Sequence, residues 1–116
     1  MDTLYRQSML LDFYQGLLTD KQRQVLKLHI SEDWSLSEIA DEMKITRQGV
    51  SDTIHRGMAV LEEAEDKLGM VDRFLAISKW IGRLEEDLDR QAPADVLKKE
   101  VEELKKAAGF GPDQTA

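Results

Sequence analysis

Three hydroxyl residues, Thr19, Ser35 and Thr46, each stand directly before a run of apolar residues with helical spacing. A hydroxyl in that place accepts a hydrogen bond from one of the backbone N–H groups that the first turn of a helix leaves unsatisfied, so it marks a helix start. Two of the three carry a partner three residues on, Gln22 in "TDKQ" and Glu38 in "SLSE", which is the reciprocal pattern of a capping box. The interval between Ser35 and Thr46 holds only a short helix, because Lys44 and Ile45 lead at once into the next cap.

The apolar residues fill in the helices. Leu4, Met9, Leu11, Phe13, Leu17 and Leu18 give the first segment helical spacing, and Val25, Leu26, Leu28 and Ile30 carry a second helix to about Ile30 before the break at "SEDW". Leu36, Ile39, Ala40 and Met43 stripe the short helix. From Arg47 onward Val50, Ile54, Gly57, Leu61, Ala64, Leu68, Val71 and Leu75 alternate steps of four and three. A second stripe, Met70, Phe74, Ile77, Ile81, Leu84 and Leu88, has a different phase. The phase changes near Gly69, which reads as the residue closing one long helix before another begins. Pro93 suits a helix start, Leu97, Val101, Leu104 and Ala108 stripe the last helix, and Gly109 stops it. Residues 110–116 read as a frayed tail, and no strand pattern or repeat is present. The expected fold class is all-α.

Charge and composition narrow the function. There is no cysteine, which excludes disulfides and thiolate metal sites and fits a cytoplasmic location. No signal peptide is visible, and no apolar run approaches the roughly 20 residues of a membrane span. The net charge is −7, poor for bulk attraction to nucleic acid. The acid is uneven: residues 1–18 and 19–61 each sum to −1, and residues 62–116 sum to −5.

The stretch from Leu36 to Leu61, "LSEIADEMKITRQGVSDTIHRGMAVL", has the parts of a helix-turn-helix: a short helix, a small residue at the crossing, a tight turn, and a second helix with a polar outer face. Ala40 is the small residue, Ile39 and Val50 the apolar pair between the helices, and Ile45 the plug of the turn. Arg47, Gln48, Ser51, Asp52 and His55 then point outward. Arg47 and Gln48 are residue types that read guanine and adenine in a major groove. Lys44 and Arg56 are placed to hold phosphates on either side, and Thr46, Ser51 and His55 complete the candidate surface. Lys21, Arg23 and Lys27 form a further basic face on the preceding helix. The domains follow as a helix-turn-helix domain over residues 1–61, with its motif at about 36–61, and a helical extension over 62–109 that packs on it or dimerises.

With "LTDKQRQVLKLHI" in front, the motif resembles sigma-factor region 4 over roughly residues 17–61. It departs from the pattern at Lys44, where many such turns have glycine, at Thr53 on the buried side, and at Asp52 on the reading face. The chain as a whole, with "YRQSMLLDFYQGLLTDKQRQ", then "SLSEIADEMKITRQGVSDTIHR", then an acidic helical tail, is similar to the YlxM family of helix-turn-helix proteins. That resemblance implies a bacterial gene beside those for the signal recognition particle GTPase and its receptor. It also implies an accessory or regulatory role in protein targeting, with the particle's RNA and its GTPase as partners.

Other chemistry finds little support. His29 and His55 are the only histidines, so no metal site, catalytic set or cofactor is expected. Carboxylates spaced four from lysines, as in Lys98-Glu102-Lys106 and Lys99-Glu103, read as surface pairs, and Trp34 and Trp80 read as core plugs. The two long stripes offer more apolar surface than a short motif covers, which points to a homodimer. The principal expectation is thus a nucleic-acid-binding regulator, of DNA or RNA. The alternative is an adaptor whose helix-turn-helix docks on a protein, and a ligand-sensing repressor ranks third.

Overall fold

The computed structural model describes residues 3–109, and among them every regular element is helical. In order these are α1 (Thr3–Tyr14), a 3₁₀ turn (Gln15–Leu17), α2 (Asp20–Leu26) running into a π turn (Lys27–Ser31), α3 (Leu36–Met43), α4 (Arg47–Leu68), α5 (Met70–Asp89) and α6 (Ala94–Ala107). The expectation of a frayed tail at 110–116 lies outside the described residues. The chain divides into two compact units at Gly69, whose φ of +62° lets it close α4 by donating from its N–H to the Glu65 carbonyl. Helix α4 runs unbroken through position 61.

Both capping boxes form. Thr19 accepts from the Gln22 N–H at 3.1 Å while the Gln22 side chain accepts from the Thr19 N–H at 3.0 Å. Ser35 and Glu38 do the same at 3.1 and 2.9 Å. These backbone and hydroxyl donors hold the Glu38 carboxyl below the usual carboxylate range. The expected second helix reaches the expected place, but its end widens: Glu32 N–H reaches the Lys27 carbonyl five residues back, and Trp34 N–H closes the loop on the Leu28 carbonyl.

In the first unit α1 and α2 both lie against α4, and Leu10, Leu11, Val25, Leu26, Val50 and Leu61 are almost fully buried. Two polar contacts fix α1 to α4: the Tyr14 hydroxyl donates to Glu65 Oε1 at 2.7 Å, and Arg6 forks onto Glu62. Helices α2 and α4 approach closely at Gly57, where a Cβ would sit 2.7 Å from Cδ1 of Leu26. Leu26 is wholly buried, so it cannot swing away and only glycine fits without displacement.

In the second unit α5 and α6 form a hairpin, turned by Gln91 at φ +57°. Pro93 opens α6, accepting from the N–H groups of Val96 and Leu97. Besides Val71, the buried residues described in this hairpin are two carboxyls, Asp87 near the end of α5 and Glu100 in α6, and Arg90 donates to Asp87. The apolar stripe of α5 is open along one edge, with Ile81 45% and Leu88 59% exposed, because two helices alone cannot enclose it. Two sequence expectations are corrected here. Trp80 is not a core plug; it is half-buried, with Lys79 and Arg83 over its ring. In α6 the ion pairs close over three residues, Lys105 with Glu102 and Lys106 with Glu103, because long helical side chains lean toward the preceding turn.

Candidate nucleic-acid interface

The interface is built around the angle between α3 and α4. Val25, Ile39, Ala40 and Val50 form a buried cluster, and Leu28, Trp34, Leu36, Met43, Ile45 and Ile54 pack against it. Ala40 sits at the crossing as its size requires, and Ile45 fills the turn. The turn itself depends on Lys44, which lies in the left-handed region at φ 59° and ψ 43°. That conformation brings both the Lys44 and Ile45 N–H groups onto the Ala40 carbonyl, a Schellman-type closure in which lysine occupies the place most often held by glycine.

Thr46 then starts α4, its hydroxyl accepting from the Gly49 N–H at 2.9 Å. The earlier N–H groups of the first turn, on Arg47 and Gln48, have no acceptor within the helix. They give the start of α4 a positive end suited to an anion. Thr53, expected as an anomaly on the buried side, is accommodated because its hydroxyl donates to the Gly49 carbonyl at 2.8 Å.

The outward face carries the predicted residues in the predicted order. Arg47, Gln48, His55 and Arg56 are exposed and Ser51 is half-buried. Among the described residues no carboxylate pairs with Lys44, Arg47 or Arg56. Gln48 is occupied instead: its Nε2 donates to Asp52 Oδ1 at 3.0 Å. His55 Nδ1 lies 2.8 Å from the Ser51 carbonyl; a carbonyl only accepts, so that nitrogen carries the proton and Nε2 faces outward. Farther along, the same face turns acidic at Glu62, Glu63 and Asp66, so the cationic part covers about the first three turns. Glu62 and Glu63 are held by Arg6 and Lys67.

The basic face read on α2 is only partly a face. Lys21 and Lys27 are exposed, but Arg23 is a structural clamp. Its guanidinium donates to the carbonyls of Gln15 and Leu18, both at 3.3 Å, and to Asp20 at 3.0 Å. It thereby ties the 3₁₀ turn to α2. Nothing in the local sequence distinguishes Arg23 from its neighbours; a signal existed only in the turn preceding the Thr19 cap, whose carbonyls needed donors.

No group of three His, Asp or Glu side chains among the described residues is placed to hold a metal ion, and no helix among them is long and apolar enough to cross a membrane.

With this geometry in place, comparison with known proteins decides the family. The sequence model described as "Putative helix-turn-helix protein, YlxM / p13 like", the UPF0122 family, matches residues 1–104. The chain belongs to this family. A UPF0122 protein of Halalkalibacterium halodurans is 42% identical over 90% of this chain and 95% of its own length. One of Geobacillus kaustophilus is 39% identical over 90% of this chain and 98% of its own length. A third, of Bacillus mycoides, is 41% identical over 84% of this chain and 89% of its own length. The UPF0122 family is described by its helix-turn-helix motif.

Proposed function

We propose that this UPF0122 protein binds nucleic acid through the first turns of α4 and acts in the cytoplasm as an accessory factor of the signal recognition particle. The observation that carries the reading is that, among the described residues, three cations spread from the turn before α4 to its third turn, Lys44, Arg47 and Arg56, have no carboxylate partner. Lys44, Thr46, Arg47, Gln48, Ser51, His55 and Arg56 form the contact surface, Arg47 nearest the bases and Lys44 and Arg56 on phosphate. With a net charge of −7, non-specific attraction is poor, so affinity is weak alone and completed by a partner. Similarity to the YlxM family supplies the partner of this reading, the particle's RNA together with its GTPase. The protein works as a homodimer, which presents two such helices.

The test is a salt titration of binding to duplex DNA and to the particle's RNA. Replacing both Arg47 and Arg56 by alanine removes one base contact and one phosphate contact, so binding weakens and the salt slope on duplex DNA falls by about 0.9. The circular dichroism spectrum stays that of the parent, because both residues are exposed. A second reading, that the motif docks on protein, is favoured by one observation: Asp52 puts a carboxylate on the reading face and occupies Gln48. A double variant that binds the particle and its RNA like the parent refutes the first reading and selects the second.

A further inference from the structure

We propose that Asp52 selects the base at this interface: its carboxylate, held by Gln48, accepts a hydrogen bond from the exocyclic amine of a cytosine. The inference rests on the nucleic-acid reading above and names the base that the face prefers.

Helical periodicity lays out the face. At about 100° per residue, Arg47 and Arg56 stand on opposite sides of α4, and Gln48, Ser51, Asp52 and His55 lie between them. Asp52 is about 40° and one turn from Gln48, and the same from Arg56. An acid four residues before an arginine is a favoured ion pair. Among the described residues, however, neither Arg56 nor any other cation pairs with Asp52. The helix does not need this carboxylate either. Thr46 already caps α4, and Asp52 lies beyond the first turn, where an acid gains little from the helix dipole. Asp52 is exposed, and its hydrogen bond is the one that Gln48 Nε2 donates to Oδ1 at 3.0 Å. Gln48 thus steadies one carboxylate oxygen, and among the described residues the other is open on the outward face.

A carboxylate only accepts, so its partner on a base edge must be an N–H. Guanine presents N7 and O6 in a major groove, and thymine O4 and a methyl group, none of them a donor. Cytosine presents its N4 amine. Adenine presents an amine too, but the N7 beside it needs a donor that a carboxylate lacks. Cytosine is therefore the base whose edge meets Asp52 without an opposed lone pair. The same negative charge weakens binding to every sequence through the phosphates, and the cytosine amine recovers the loss at one kind of site only. Discrimination of that sort comes from rejecting the wrong partner as much as from holding the right one. The amine has two sources. One is a paired cytosine in the major groove of duplex DNA. The other is an unpaired cytosine in an RNA loop, because the major groove of an RNA helix is too deep and narrow for side chains to read.

The test passes the full-length parent, Asp52→Ala and Asp52→Asn over two pools at about 50 mM salt. One pool is duplex DNA with a randomised core, the other RNA hairpins with a randomised loop. The bound fraction is sequenced, and the enriched site is remade with each base in turn at the cytosine position. The parent binds the cytosine site about fivefold or more tighter than the other three. Asp52→Ala binds all four within about twofold of one another. It also binds the three sites without cytosine at least as tightly as the parent, because it has lost a negative charge, and that gain shows that the variant is folded. Asp52→Asn sets a donor beside its acceptor, so the preference moves to adenine. The pool in which cytosine is enriched identifies its source. A parent that binds without preferring cytosine at any position, or whose preference survives in Asp52→Ala, overturns this assignment and keeps nucleic-acid binding. A parent that enriches no sequence from either pool and binds neither overturns the nucleic-acid reading itself, and the role of Asp52 with it.

Discussion

Lys44 is strained, and relieving that strain separates its structural from its functional role. A side chain in the left-handed region costs about 1–2 kcal/mol, because Cβ crowds the following carbonyl. Glycine escapes that cost but gives back about 0.4–1 kcal/mol through the freedom it adds to the unfolded chain. The net gain for Lys44→Gly is about 0.5–1 kcal/mol. Lys44→Ala keeps the Cβ, and the exposed lysine has no ion pair to lose, so this variant stays within about 0.5 kcal/mol of the parent. For a unit of this size, 1 kcal/mol corresponds to about 4–8 °C in Tm, so thermal unfolding followed by circular dichroism should place the glycine variant about 2–8 °C above the alanine variant. Both variants lose the same cation. If Lys44 touches phosphate, the salt slope on duplex DNA falls by about 0.9 in each. A glycine variant melting no higher than the alanine variant would show that the turn is not held as described. Binding that differs between the two would show that the turn, and not the charge, governs the interface.

Two further perturbations probe the packing and the hairpin. Gly57→Val drives a branched side chain into the space occupied by Leu26, 2.7 Å from where Cβ alone would sit, and should destabilise the first unit by about 3 kcal/mol in urea unfolding; an unchanged midpoint would mean that α2 and α4 are not in close contact there. In the hairpin, the contact with Asp87, burial and the nearby Asp87 charge raise the Glu100 carboxyl above its ordinary range, against the opposing pull of Arg83 and Arg90. A raised folded value means stability that is full below the ordinary carboxyl range and lost as pH rises through the folded value. Asp87, lowered by its contacts with Glu100 and Arg90, contributes in the opposite sense and loses its share as pH falls. Glu100→Gln keeps a neutral donor facing Asp87 and does not titrate, so its Tm should exceed the parent's at pH 8 and the gap should narrow toward pH 5; a gap independent of pH would show that the Glu100 carboxyl is not raised in the folded hairpin.

The positions of the helices were legible from the sequence because their signals are local. Thr19, Ser35 and Thr46 satisfy backbone donors within three residues of themselves, and the left-handed Gly69 closes α4 where the apolar phase changes. The same holds for Ile39, Ala40 and Val50, whose spacing is fixed by the short helix and its turn, and for the outward order of Arg47, Gln48, Ser51 and His55, which follows from helical periodicity once the cap is known. Tertiary structure decided what depends on distant partners. Arg23 became a clamp because the turn before Thr19 offers it carbonyls, and Gly57 became obligatory because Leu26, 31 residues away in the chain, fills the space beside it. Asp87 and Glu100 were buried together by the pairing of α5 with α6. Sequence periodicity records that a face is apolar; only the packed chain shows which part of that face its own helices cover, and so leaves Ile81 and Leu88 exposed.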